Sequence, residues 1–316
     1  LATAESTVLC DLHQFGTLRV GGEEAQSFLQ NLLSNDIREV STTHAQLSSL
    51  NSAKGRMLAN FLIWRDSEDY LLQLPHSLVE MIRKKLSMYV LRAKVKVTDA
   101  SDEIIALGIA GKNAEKILRG VFGDLPSEPF TSLVNPQGCV LKINNTRFQI
   151  ITTPAPAETL WSTLSLHAMP VGSVCWDSLN IRAGIPVILP QTQEQFVAQM
   201  INFDLLGGIN FKKGCYPGQE IVARTHYLGK LKRRMYLAHI NTMDIPQAGD
   251  ELFSADMEDQ VSGMIVNAAP TPSGGYNILA VVQTSSQETQ TLHWKSLQGA
   301  ALQFLPLPYV IPSTNS

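Results

Sequence analysis

The chain has 316 residues, enough for two domains or three smaller ones, and its 44% hydrophobic against 17% charged content excludes a disordered, charge-rich chain. A formal charge of −3 excludes an all-over basic coat, so any nucleic-acid contact must come from a local patch.

Leu1 to His13 carries neither a basic n-region nor an apolar h-region, and no stretch approaches the ~18 apolar residues of a membrane span. An unexported protein with no membrane partner is expected. Gly16 to Val20 reads as a strand, followed by a helix with Ala25, Phe28, Leu29, Leu32 and Leu33 on one face. Strands are expected at Gln46 to Leu50, Met57 to Arg65 and Asp69 to Leu74, then a helix from Pro75 to about Tyr89. Next comes a strand with Leu91, Ala93, Val95 and Val97 on one face and Arg92, Lys94 and Lys96 on the other. Ile104 to Ala110 reads as a strand that enters a second Gly-helix unit. Gly111-Lys-Asn-Ala114-Glu-Lys-Ile117-Leu118 echoes Gly22-Glu-Glu-Ala25-Gln-Ser-Phe28-Leu29 at an offset of 89 residues, which reads either as an internal repeat or as the common look of any strand–Gly–amphipathic-helix unit. Cys139 to Thr153 and a helix over Ala157 to His167 complete this second unit. From Lys232 onward, short strands (Arg233 to Ile240, Glu251 to Phe253, Met264 to Val266, Tyr276 to Gln283, Thr291 to Trp294) broken by Pro and Gly predict a small β-barrel, bounded by a helix C-cap near Gly229.

Cys10, Cys139, Cys175 and Cys215 lie far apart with no CxxC pair, so no zinc ribbon or ferredoxin-type cluster site is spelled out, and a reduced, cytoplasmic protein is expected. The seven histidines show no HxxxH or HExxH spacing, and no phosphate loop of the GxxxxGK[ST] kind occurs. The richest stretch runs from Leu206 to Arg224. Its glycines permit close backbone approach, and a helix starting at Pro217 or Gly218 would direct free N–H groups at Cys215. With Lys212 and Lys213 beside it, such a thiol is expected to favour the thiolate; a small buried hydrophobe is the competing role for a lone Cys. Lys212 to Arg234 holds seven basic residues against Glu220 alone, a local +6 that leaves −9 on the rest of the chain and suggests an anionic ligand or an RNA backbone. Trp176 reads either as core or as a stacking face for a flat heterocycle.

Lys213-Gly-Cys215-Tyr-Pro-Gly-Gln-Glu220 resembles the K-G-C-Y-x-G-Q-E signature of the YgfZ family, folate-binding relatives of the glycine-cleavage T-protein. Phe28 to Ile37, Leu50 to Arg56, Leu179 to Pro186 and Leu206 to Lys213 resemble weaker family blocks. The resemblance implies an α+β fold, a T-protein-like three-part ring of two ferredoxin-like units (1–102 and 103–229) plus a C-terminal antiparallel β-barrel (230–316). It implies tetrahydrofolate or a derivative as ligand, with Trp176, Phe15, Tyr216, Gln219, Glu220 and Arg224 as binding residues and Cys215 with Lys213 as the reactive pair. It implies iron–sulfur enzymes as partners, tRNA-modifying ones among them. Two departures stand out. Arg182 occupies a position where relatives commonly carry Glu, and the T-protein's catalytic Asp segment has no match in Gln73 to Glu80. The second argues against aminomethyl transfer, which remains the enzymatic alternative; an RNA-binding module using Lys212 to Arg234 is the other.

Overall fold

A computed structural model describes residues 6–227, 231–257 and 260–312. Strand β1 (Val8–Asp11) precedes β2 (Phe15–Gly21), helix α1 (Ala25–Gln30), β3 (Gln46–Asn51), β4 (Met57–Asp66), β5 (Asp69–Pro75), α2 (His76–Val90) and β6 (Lys96–Asp99). A second series follows: β7 (Ile105–Ala110), α3 (Ala114–Phe122), β8 (Ser132–Asn135), β9 (Gly138–Asn144), β10 (Arg147–Thr152), α4 (Pro154–Leu164), β11 (Met169–Val171) and α5 (Ser173–Arg182). After α6 (Gln219–Tyr227) come β12 (Arg233–Ile240), β13 (Glu251–Ser254), β14 (Gly263–Pro270), β15 (Tyr276–Gln283), α7 (Thr284–Thr289), β16 (Leu292–Trp294) and β17 (Leu302–Leu305). No described helix is long and apolar enough to cross a membrane.

The sequence repeat is a repeat of structure. The first series forms a sheet in the order β3-β4-β5-β2-β6, and the second forms β8-β9-β10-β7-β1-β11. Position for position, β7 takes the place of β2, and β8 to β10 take those of β3 to β5. At the slot beside β2 that β6 fills, the second sheet has β1, antiparallel to β7 and parallel to β11. Each series turns from strand to helix at a glycine in the left-handed half of φ space, Gly22 at +115° and Gly111 at +136°. In each, the glycine carbonyl accepts a bond from the alanine N–H three residues on, Ala25 or Ala114. A Cβ at Gly22 would stand 2.2 Å from the Lys94 carbonyl oxygen, so only glycine fits that turn. Leu9, Ile109, Leu118, Val140, Phe148, Ile150 and Leu164 form the core of the second series.

Two expected elements are shorter than periodicity suggested. Helix α1 ends at Gln30, leaving Leu32 and Leu33 outside it, because Leu33 bridges Leu50 and the Gln30 side chain accepts the Ile37 N–H. The alternating run from Leu91 to Val97 contributes only its end to β6; Leu91 sits at φ +46°, and Lys94 is engaged through its N–H by the Glu24 carboxylate at 2.6 Å.

The third sheet has the order β16-β13-β14-β15-β12-β17, and a bridge between His293 and Ala301 joins its two edges, closing the expected barrel. Ala238, Ile240, Leu252, Ile265, Ile278, Val282 and Trp294 fill it. The expected C-cap at Gly229 and the 229/230 boundary lie outside the described residues. Packing divides the chain into two compact units, one of residues 1–31, 36–48 and 61–176, the other of residues 32–35, 49–60 and 177–316.

Candidate functional site

The signature stretch belongs to the second of these units, where three separate pieces of sequence meet: 32–35, 49–60 and 205–227. Ser34 is the junction between them. Its hydroxyl donates to the Gly208 carbonyl at 2.7 Å and accepts from the Ser49 N–H at 2.9 Å, while its own carbonyl takes the Asn210 N–H at 3.1 Å. Asn35 donates to the Gly207 carbonyl at 2.8 Å. The main chain of the glycine-rich loop is thereby fixed at Gly207, Gly208 and Asn210.

Lys213 is 5% exposed, and its ammonium donates to the carbonyls of Leu33 and, at 3.1 Å, Asn35. The same nitrogen lies 5.1 Å from the ring centre of Tyr216, which is itself buried. Burial pushes the Tyr216 phenol up to about 12. Between these two buried side chains Cys215 is exposed. Pro217 and Gly218 form a turn, and α6 begins at Gln219, one or two residues later than expected. The first N–H groups of this region are taken by the chain itself, Gln219 bonding the Tyr216 carbonyl at 3.1 Å and Val222 the Gly218 carbonyl at 3.2 Å. The Gln219 amide reaches the Lys213 carbonyl at 3.4 Å, closing the loop; Glu220 and Arg224 are exposed on the helix.

Gly218 explains why two distant blocks belong together. At φ +76° it rests against Gly55, itself at φ +70°, and a Cβ on Gly218 would stand 2.4 Å from the Gly55 Cα and 2.6 Å from the Ser52 carbonyl oxygen. The turn at Ala53-Lys54-Gly55 is therefore the floor on which the Cys215 loop sits. Sequence reading found both glycines and had no signal joining them. It also missed Asn60 and Asn267, which hold Pro186 to Ile188 by side-chain amides acting as strand partners. Asn60 pairs with the Pro186 carbonyl at 2.8 Å and the Ile188 N–H at 2.9 Å, and Asn267 exchanges two 2.9 Å bonds with Val187.

The basic stretch divides by environment. Lys212 and Arg224 are exposed, but Arg234 is buried in a two-pronged ion pair with Asp204, at 2.8 and 3.1 Å, and also donates to the Gln199 carbonyl at 2.8 Å. Lys230 lies outside the described residues. Phe211 and His226 stack with ring centres 3.7 Å apart, and exposed Tyr227 meets His226 edge-on at 4.8 Å.

Phe15 and Trp176 belong to the first unit. Phe15 lines a cavity of about 700 Å³ whose lining does not include Trp176. Trp176 is 1% exposed: a Cβ on Gly108 would touch its benzo ring at 2.6 Å, and the Arg147 guanidinium lies 4.4 Å from the indole centre. A flat ligand reaches the indole only by displacing what covers it. Burial pulls Arg147 down to about 10, so it remains cationic at neutral pH.

Comparisons with known proteins bear on these blocks. Residues 1–135 match the family described as GCVT N-terminal domain. The tRNA-modifying protein YgfZ of Shigella boydii serotype 4 is 31% identical over 303 residues, 95% of this chain and 93% of that protein; the namesake of Escherichia fergusonii matches at 31% over the same shares. Among solved structures, the glycine cleavage system aminomethyltransferase T of Bartonella henselae superposes with a TM-score of 0.78 at 18% identity, covering 96% of this chain and 86% of that one. The last match shows the fold alone: a T-protein-like α+β architecture. With the K-G-C-Y-x-G-Q-E loop, its glycine floor and likeness along nearly its whole length, the chain belongs to the YgfZ family.

Proposed function

We propose that the protein is a tetrahydrofolate-binding accessory factor in tRNA modification that supports iron–sulfur enzymes, with Cys215 as its working thiol. The observation that carries this reading is the presentation of Cys215. Its neighbours Lys213 and Tyr216 are buried, the Lys213 ammonium is bonded to the carbonyls of Leu33 and Asn35, and the Cys215 side chain between them is exposed. A structural cysteine needs no such mounting. The relatives, named as tRNA-modifying proteins, supply the tRNA-modification context. The Trp176 indole, in the first unit, would receive the pterin once Arg147 is displaced; exposed Lys212 and Arg224, in the second unit, suit an anionic ligand. Folate, when bound, would supply one-carbon or redox chemistry; the chain itself contributes the fixed loop, the exposed thiol and the cations. A single cysteine cannot hold an iron–sulfur cluster, so contact with one requires ligands from a client protein.

Calorimetric titration of tetrahydrofolate tests the ligand. Saturable binding to the wild type, retained in Trp176→Phe and lost in Trp176→Ala, is expected; absence of binding to the wild type removes the folate reading. Complementation of a deletion strain tests the thiol. Cys215→Ala should fold normally and fail to restore tRNA modification, and full restoration would leave Cys215 without a role.

A second reading, direct tRNA contact, is favoured by the Phe211, His226 and Tyr227 cluster lying in sequence beside exposed Lys212 and Arg224. Binding of tRNA that weakens steeply with salt and is impaired in Lys212→Ala/Arg224→Ala would support it. Salt-insensitive or absent binding would eliminate it.

A further inference from the structure

The cavity lined by Phe15 is built from one unit only, between the ends of β2 and β5, the start of β7 and helix α4. Its volume of about 700 Å³ falls within the range of small-molecule sites. Thr17 and Gln73 form its polar floor. They are cross-strand partners on β2 and β5, so their side chains lie on one face of the sheet. Both residues are nine-tenths buried or more, at 3% and 5% exposure, and both line the cavity. The Gln73 amide lines the cavity, where a donor–acceptor edge of a ligand could pair with it.

The walls and rim define what could satisfy that amide. Phe15 and Trp161 supply half-buried aromatic surface. Asp11, Asp102 and Glu158 are exposed carboxylates at the opening, with no Lys or Arg among the lining residues. His13 and His76 are the only other titratable groups there, and His13 lies 3.4 Å from the Asp11 carboxylate. An anionic ligand would meet like charge on every side, whereas a cation gains from both the carboxylates and the aromatic rings. The donor and acceptor of Gln73 call for a ligand edge with complementary hydrogen-bonding groups.

We propose that this cavity binds a flat, cationic heterocycle of nucleoside size with an amide-like edge and no phosphate, a ligand distinct from the folate invoked above. Folate's glutamate tail would oppose the three rim carboxylates, so tetrahydrofolate should neither fill this cavity nor compete for it.

Titration of the full chain with three related probes tests the charge rule: guanosine methylated on its imidazole ring, which is cationic, neutral guanosine, and guanosine monophosphate. The cationic nucleoside should bind tightest and the monophosphate weakest, with about a tenfold step or more between the extremes. Asp102→Asn/Glu158→Gln alters exposed positions and should collapse that step while leaving the unfolding curve unchanged. Gln73→Leu should weaken all three probes about fivefold. Saturating tetrahydrofolate should leave the cationic probe in place, whether or not it binds elsewhere. Equal affinity for the three probes, failure of all three to bind, or an unchanged preference in the rim variant would each overturn the proposal.

Discussion

Lys213 shows how a residue can be legible as a motif and opaque as a structure. Its place two residues before Cys215 suggested an activating cation, yet the ammonium is spent on the carbonyls of Leu33 and Asn35, about 180 positions away in sequence. No local pattern announces which distant carbonyls a lysine will reach. The exposure of Cys215 against the burial of Cys10 and the half-burial of Cys139 leads to a direct expectation: brief treatment with iodoacetamide at neutral pH should alkylate Cys215 well before either of those two, as read by peptide mass spectrometry. Burial holds the Cys139 thiol up at about 11, which reinforces the contrast. Tyr216 and Tyr309 carry a different consequence. Both phenols are pushed by burial from 10 to about 12, so the folded protein keeps protons that the unfolded chain releases. Their contribution is complete below pH 10 and is lost as pH rises through 12, about 2–3 kcal/mol for each. Urea unfolding across that window should show stability falling with pH, and Tyr216→Phe/Tyr309→Phe should flatten the fall. A slope identical to wild type would contradict the assignment.

At the scale of elements, periodicity found nearly every long strand and helix, including β12 and β15 to the residue. What it overran were ends decided by distant partners: α1 by the Leu33 bridge to Leu50, and β6 by the hold of Glu24 on Lys94. What it missed were helix α5, ten residues without a clear apolar face, and short strands such as β8 and β17, whose four residues are too few to establish alternation. The contact between Gly55 and Gly218 lies at this scale too. Gly218→Ala places a Cβ against backbone at a positive φ, where neither side can yield cheaply. A loss of about 1–3 kcal/mol in unfolding free energy is expected, together with faster alkylation of Cys215 as its loop comes loose. Unchanged stability and labelling would show that the glycine floor does not position the thiol.

Across the whole molecule, the charge asymmetry read from composition is partly structural. Arg234 neutralises Asp204 inside the second unit, so the +6 of the stretch overstates what a ligand would meet. Asp204→Ala should strand a buried guanidinium and cost about 3–5 kcal/mol, measurable by thermal or denaturant unfolding, whereas Lys212→Ala should be nearly neutral. The family blocks were visible in the sequence because they are contiguous; the arrangement that interleaves 32–35 and 49–60 with 177–316 was not, since only packing reveals it.

The placement of β1 between β7 and β11 has a consequence for synthesis. Val8–Asp11 leaves the ribosome well before its partners, the antiparallel one ending at Ala110 and the parallel one at Val171. At about 5–20 residues per second, translation keeps this strand, with Val8, Leu9 and Cys10 bound for the interior, waiting roughly 8–30 s for both neighbours. The nascent chain must carry an unpaired β-strand until β7 and β11 have been made, and a chain stalled before the second sheet is complete has nowhere to put it.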